Sequence, residues 1–212
     1  MDTYTRPDPT QAALLTVDVQ NDFARPGGPA EIEGTADAIP RMRTLADAFR
    51  SAEAPIVHVV RLYRRDGSNV DRCRRGAIEA GEQIVAPGTD GAELVEELKP
   101  DPSVSLDGER LLAGDRQAIG PREWIQYKPR WSAFYGTTLD DDLAERGVDT
   151  LVVCGCNFPN CPRATIYDAS AREYRLVIVP DATSRTYQRG LSELADIGVA
   201  VRETADVVEW IE

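Results

Sequence analysis

Histidine is the scarcest resource of this chain: His58 is the only one in 212 residues. A Ser-His-Asp triad would have to use it, yet it lies inside the apolar run PIVHVV, where a core histidine with its ring nitrogens satisfied is the reading its surroundings favour. With one histidine and no CxxC pair, the usual zinc spacings cannot be assembled, so no metal is expected. The four cysteines, Cys73, Cys154, Cys156 and Cys161, are too few to staple a chain of this length, and three of them cluster in one segment. Reduced thiols are the expectation. No apolar run approaches the roughly 18 residues of a membrane span, and the start MDTYTRPDPTQAA lacks the basic and apolar regions of a signal peptide. A soluble, cytoplasmic protein without a membrane partner is therefore expected. No GxGxxG follows a strand, and no GxxxxGK followed by Ser or Thr occurs, so dinucleotide and nucleoside-triphosphate chemistry lack support and no cofactor is expected. Basic residues are also in deficit, 24 against 36 acidic, for a formal charge of -12. That balance disfavours a phosphate backbone, and nucleic acid is not an expected partner.

What is present is 42% hydrophobic residues, enough to bury the core of one large α/β domain over 1–212. AALLTVD (12–18) is a continuous apolar run, as a strand buried on both faces of a parallel sheet requires, and it leaves Asp18 at its C-terminal end. Residues 35–51 place Ala36, Ile39, Met42, Leu45, Ala46 and Phe49 at helical spacing, and IVHVVRLY follows. A right-handed crossover makes this a βαβ unit. From 63 to 123 the pattern is irregular, with one helix expected at 91–98; an insertion this long reads as a lid or an oligomer contact. Strand WIQYK (124–128) comes next, then a helix opened by Thr138 in a capping-box spacing with Asp141 and closed by Gly147. The run Asp140, Asp141, Asp142 suits a helix N-terminus and needs no function. The strand TLVVCG (150–155) leads through CNFPN to Cys161, Pro162 and a helix with Ala164, Ile166, Ala169 and Ala171 inward. Strand LVIVP (176–180), a helix at 189–197, strand VAVRE and a helix at 205–210 complete the alternation. The class is α/β, a three-layer αβα arrangement with a mainly parallel sheet.

In an open parallel sheet, ligands bind outside the carboxyl ends of the strands. Asp18, Lys128 and Cys161 each follow such an end. A thiol at a helix N-terminus faces unpaired N–H groups and the positive end of the helix dipole, which favours its ionisation, and a nearby Lys128 ammonium would favour it further. Asp18 could take the thiol proton and later activate water. The alternatives are a buried structural cysteine, an Asx turn at Asp18 and a solvated Lys128; the conjunction of the three favours chemistry. Cys154 and Cys156 read as structural. The basic stretch of Arg61, Arg64, Arg65, Arg72, Arg74 and Arg75 could hold an anionic substrate, but pairing with carboxylates across a subunit interface is the reading preferred.

TVDVQNDF, then KPRWSAFYGT, then VCGCNFPNCPRATIYDA together resemble the isochorismatase-like cysteine hydrolase superfamily, in the right order across the chain. The resemblance implies a six-stranded parallel sheet between helices and cleavage of an amide-type C–N bond (amide, lactam, ureido or carbamoyl) in a small molecule through a thioester-type acyl-enzyme. It implies Asp18 as base, Lys128 as its partner and Cys161 as nucleophile, with Thr165, Asp168 and Ala169 in register. It also implies a cis peptide at Cys156–Asn157 and an oxyanion hole built from the backbone N–H groups of Asn157 and Cys161. Family members are usually oligomeric, so a homo-oligomer (dimer or tetramer) is expected. Phe23, Trp131, Phe134, Tyr135 and Phe158 are expected to wall the substrate pocket, with ordinary core packing as their alternative. The sequence departs from the family pattern at NFPN, and it lacks the D-x-H metal motif of nicotinamidases. An ester or vinyl-ether hydrolase, or an inactive scaffold on the same fold, are the competing readings.

Overall fold

A computed structural model describes residues 2–212. In chain order it contains β1 (Ala12–Val17), α1 (Asn21–Ala24), α2 (Thr35–Ser51), β2 (Ile56–Val60), α3 (Arg72–Glu79), α4 (Gly108–Leu112), β3 (Gln117–Gly120), β4 (Glu123–Tyr127), α5 (Leu139–Ala144), β5 (Thr150–Gly155), α6 (Cys161–Ser170), β6 (Arg175–Thr183), α7 (Gln188–Asp196), β7 (Ala200–Val201) and α8 (Thr204–Ile211). The strands form one sheet in the order β3-β4-β2-β1-β5-β6-β7, parallel except for β3 against β4. This is one strand more than the six expected. The addition, QAIG, is an antiparallel edge from inside the 63–123 insertion, too short and too weakly patterned to announce itself.

The continuous apolar strands follow from burial on both faces, with side chains alternating between two cores. Leu14, Val152, Cys154, Val177 and Val179 face α2 and α8, where Met42, Leu45, Phe49, Val207 and Ile211 meet them. Leu15, Val17, Val153, Leu176 and Ile178 face the other way, onto Leu139, Leu143, Ile166, Ala169 and Leu194 of α5, α6 and α7. Burying one such Leu or Phe is worth about 1.5–3 kcal/mol, so α2 is held chiefly by its apolar stripe. The inward residues of α6 are Thr165, Ile166 and Ala169, whereas Ala171 is exposed and Ala164 half-buried.

The insertion departs most from expectation. Instead of one helix at 91–98 there are two 3-10 turns, Asp90–Ala92 and Glu96–Leu98, with α3 and α4 elsewhere. It also carries a cluster of its own, in which Leu62, Tyr63, Val70, Ile78, Ile84, Val85 and Leu111 pack with Phe23, Val60 and Cys156. Thr138 does not close a capping box; its hydroxyl donates to Asp142 Oδ2 at 2.7 Å, and Asp142 is buried and ion-paired with Arg116. His58 is fully buried, with Nδ1 2.7 Å from Thr16 Oγ1 and Nε2 2.7 Å from Glu123 Oε1, a satisfied core histidine as expected.

Candidate active site

The four central strands β4, β2, β1 and β5 lie side by side, and each is followed at its C-terminal end by a polar or reactive residue: Lys128, Arg61, Asp18 and Cys156. Asp18 takes a left-handed backbone, φ 54, a region that Asp tolerates better than most residues. It is held there from three sides. Its N–H donates to Val59 O at 2.8 Å, and its carbonyl accepts from Gln20 N and from Cys156 Sγ, both at 2.9 Å. Gly155 makes the last contact possible: a Cβ there would fall 2.3 Å from Val17 O, so only glycine lets β5 end this close to β1.

Lys128 is fully buried, and its Nζ donates to Asp18 Oδ2 at 2.8 Å and to Arg130 O at 3.3 Å. A buried ammonium requires such a partner, and in turn it supplies the counter-charge that a buried carboxylate needs. The other carboxylate oxygen, Asp18 Oδ1, is buried without a hydrogen-bond partner among the described residues. Cys161 is the first residue of α6, with Pro162 after it and no side chain capping the helix at Asn160. Among the described residues, the N–H groups of Asn157 and Cys161 have neither a backbone nor a side-chain acceptor. The Cys156–Asn157 peptide is cis, as the motif implied.

Asp18, Cys161, Asn157 and Cys156 line one cavity of about 70 Å³, together with Phe23, Arg61, Tyr63 and Trp131. On the scale of roughly 10–15 Å³ per water, it holds on the order of five waters, which limits a ligand to a compact molecule. From α3, in the insertion, Cys73 and Arg74 also line it. Burial, and then the negative charge of Asp18, push the Cys161 thiol up to about 11 against the opposing pull of Lys128 and Arg61. Desolvation and a neighbouring carboxylate thus act against the ionisation that the helix N-terminus and Lys128 were expected to favour. Cys154 and Cys156 are fully buried, and burial raises both thiols further. Among the described residues, no three His, Cys, Asp or Glu side chains converge as a metal site requires.

The structure brings Asp18, Lys128, Cys161, Asn157, Phe23 and Trp131 together and leaves three expected wall residues elsewhere. Phe134 packs on Tyr174 with ring centroids 5.7 Å apart, and Phe158 is fully buried edge-on against Tyr187 at 5.4 Å. Tyr135 is 59% exposed, on the surface beyond Trp131. Arg61 was missed. It is buried and pairs with Asp71 of its own chain at 2.7 Å, not across an interface; its place directly after the buried strand β2 was the available signal.

The motif residues around the site prove to be its scaffold. Gln20 clamps the Arg61 backbone, accepting from Arg61 N and donating to Arg61 O, each at 2.7 Å. Asp22 Oδ2 accepts from Val85 N at 2.6 Å, and a Cβ on Gly91 would sit 2.0 Å from the same carboxylate, which fixes the insertion against α1. Thr165 Oγ1 accepts from Ala133 N at 3.1 Å, and Asp168 Oδ2 accepts from Ser132 Oγ at 2.6 Å. The loop after Lys128 is thereby tied to the helix that begins with Cys161.

The Isochorismatase domain model matches residues 12–206. The chain is 31% identical to a protein described as a probable inactive nicotinamidase from Arabidopsis thaliana, over 94% of each chain. It is 32% identical to ureidoacrylate amidohydrolase RutB from Methylobacterium radiotolerans, over 93% of this chain and 75% of that one. A crystal structure of an isochorismatase family protein from Desulfovibrio vulgaris superposes with a TM-score of 0.78 at 33% identity, covering 94% of this chain and 97% of that chain. Motif order, sheet topology and this match over nearly the whole length lead to one conclusion: the chain belongs to the isochorismatase family.

Proposed function

We propose that the protein hydrolyses an amide-type C–N bond of a small molecule, with Cys161 as nucleophile, Asp18 as general base and acid, and Lys128 as the charge that keeps Asp18 in place. The observation that carries this is the buried Lys128–Asp18 pair at 2.8 Å, in which Asp18 keeps Oδ1 unpaired and lines the same cavity as Cys161. The names of relatives support it, since ureidoacrylate amidohydrolase and N-carbamoylsarcosine amidase both denote C–N hydrolases.

With its pKa near 11 the thiol is protonated at neutral pH, so attack and proton transfer occur together. The Cys161 Sγ bonds to the carbonyl carbon while its proton passes to Asp18 Oδ1. The carbonyl oxygen becomes an oxyanion, received by the unpaired N–H groups of Asn157 and Cys161, donors of the kind worth about 3–4 kcal/mol each in a dry site. Collapse breaks the C–N bond, and the departing nitrogen takes the proton from Asp18. Water, deprotonated by the same carboxylate, then cleaves the thioester and returns the thiol.

The test is a panel of small amides, ureas, lactams and esters, with products identified by mass. Release of amine or ammonia by the wild type, an acylated Cys161 peptide after acid quench, and loss of turnover in Cys161→Ser are expected. Undiminished turnover in Cys161→Ser would overturn the assignment. A wild type inert across the panel would instead favour the inactive scaffold that the Arabidopsis relative's description suggests.

A further inference from the structure

We propose that Arg61 is a carboxylate-binding residue and that the protein's substrate is a small organic anion whose acid group docks on it. This rests on the amide-hydrolase reading of the same site and deepens it: the scissile C–N bond would belong to a compact acylamino or ureido acid.

Arg61 is only 2% exposed, and its buried Nη1 has no hydrogen-bond partner among the described residues. An unpartnered guanidinium N–H inside a protein is costly, the more so because the group is charged, and it calls for an occupant. Arg61 lines the same cavity as Asp18 and Cys161, so the unpartnered group belongs to the site where the proposed chemistry takes place.

The rest of the residue is fixed. Its Nη2 pairs with Asp71 Oδ2 at 2.7 Å, and that same oxygen accepts from Tyr63 Oη at 2.9 Å. The guanidinium carbon lies 5.6 Å from the Tyr63 ring centroid, and Gln20 clamps the backbone from both sides. A preorganised fork of this kind loses little freedom on binding and forms its strongest hydrogen bonds with carboxylates.

Local charge agrees. Asp18 is matched by Lys128 and Asp71 by Arg61, whereas Arg74, stacked 5.6 Å over Phe23 at the cavity mouth, has no carboxylate partner among the described residues. The site therefore carries an excess of one positive charge within a protein of net charge -12. Such a field draws small anions to the mouth.

The first test needs no turnover. Cys161 is alkylated with iodoacetate and with iodoacetamide, and each rate is referred to that of N-acetylcysteine at the same pH. The acid reagent should gain at least tenfold over the neutral one at Cys161 relative to the reference thiol, and Arg61→Gln should bring the ratio back to the reference. A wild-type ratio at or below the reference overturns the proposal, and because that arm uses the native chain, a poorly folding variant does not blunt it. The second test compares kcat/KM for N-carbamoylglycine and its uncharged methyl ester. A tenfold or greater preference for the acid, lost in Arg61→Gln, is expected, and equal values overturn the proposal. An acid preference in alkylation with no hydrolysis of any C–N substrate would leave the subsite standing and remove the hydrolase reading. Hydrolysis without acid preference would do the reverse.

Discussion

Replacing Asp18 by asparagine should make Cys161 easier to ionise and, on the proposed mechanism, slow hydrolysis. In the wild type the thiol sits near 11, with burial and the Asp18 charge raising it against Lys128 and Arg61. An ordinary thiol near 8.5 is about one-quarter thiolate at pH 8, whereas one at 11 is about one-thousandth, a difference of roughly 200-fold in the reactive species. Alkylation of Cys161 should therefore climb about tenfold per pH unit from pH 8 to 10 without a plateau. The amide in Asp18→Asn would carry no charge, leaving Lys128 without its counter-charge, and the midpoint should fall by at least one unit, about 1.4 kcal/mol. Part of that gain is hidden, because a less basic thiolate is a weaker nucleophile with a Brønsted coefficient near 0.4–0.5; labelling at pH 8 should rise about threefold rather than tenfold. Hydrolysis should meanwhile drop by roughly 10²–10⁴, the worth of a general base. The assay is iodoacetamide labelling mapped by peptide mass across pH, beside kcat/KM for one confirmed substrate. Cys154 is the internal control: it is fully buried, so it stays unlabelled in a folded variant and reacts only if structure is lost. Opposite changes in labelling and hydrolysis, with Cys154 still protected, are the diagnostic. Rapid wild-type labelling with a midpoint near neutrality, or slower labelling in Asp18→Asn, would refute the reasoning.

Three further outcomes follow from the packing. Lys128→Met strands a buried carboxylate and should cost about 3–5 kcal/mol in urea denaturation, most of it recovered in the double variant with Asp18→Asn; a loss below about 1 kcal/mol would mean the pair is not buried in solution. Glu123 accepts from Arg50 and His58, whose hydrogen bonds and charges outweigh burial and hold its carboxyl at about 2. Its folded pKa lies below the unfolded value of about 4.3, so the stabilisation is complete above that value and is lost as pH falls towards 2. Allowing for screening at Arg50, which is a quarter exposed, the loss is about 2 kcal/mol, and Glu123→Gln should flatten that part of the stability profile; parallel profiles would count against it. Gly155→Ala puts a Cβ 2.3 Å from the Val17 carbonyl at φ 120 and should cost about 3 kcal/mol or more in the same denaturation assay, while Gly147→Ala, at φ 67 with open space around it, should cost about 1; equal costs would rule out the close approach.

The two-core αβα arrangement was legible because β1 and β5 are buried on both faces, and six consecutive apolar or small residues between polar ends suit a central parallel strand and little else. Asp18, Lys128 and Cys161 could be singled out because strand ends and a helix start place them, with no distant contact required. The insertion was not, and the reason is visible in what shapes it. Its turns are set by partners far away in sequence: Val85 N by Asp22, Asp90 O by the Asn21 side chain, and Leu94 by a bridge to Gln20. No local periodicity encodes such contacts. The aromatics failed for a different reason. Phe158 and Phe134 are chemically as fit for a pocket wall as Phe23, and only the third dimension separates them; a Cβ on Gly190 would lie 2.5 Å from Phe158, so that ring is wedged into the core under α7.

Arg61 illustrates how composition misleads when one member of a set differs. Six arginines between 61 and 75 read as a basic surface, and Arg64, Arg65 and Arg72 are indeed exposed. Arg61 alone directly follows a strand in which every residue is buried, and there a charge must be matched. The chain matches it incompletely, and it does so twice on the same cavity. Asp18 gives one oxygen to Lys128 and keeps the other free, while Arg61 gives one nitrogen to Asp71 and keeps another free. Each pairing lowers the cost of burying a charge, and each leftover atom is a site of unmet hydrogen bonding held in place by its satisfied half. Under the proposed mechanism one leftover would accept a proton and the other would donate a hydrogen bond, both from residues that line one cavity with Cys161. On that reading the buried pairs supply more than stability: by satisfying one half of each group they leave the other half free for a ligand.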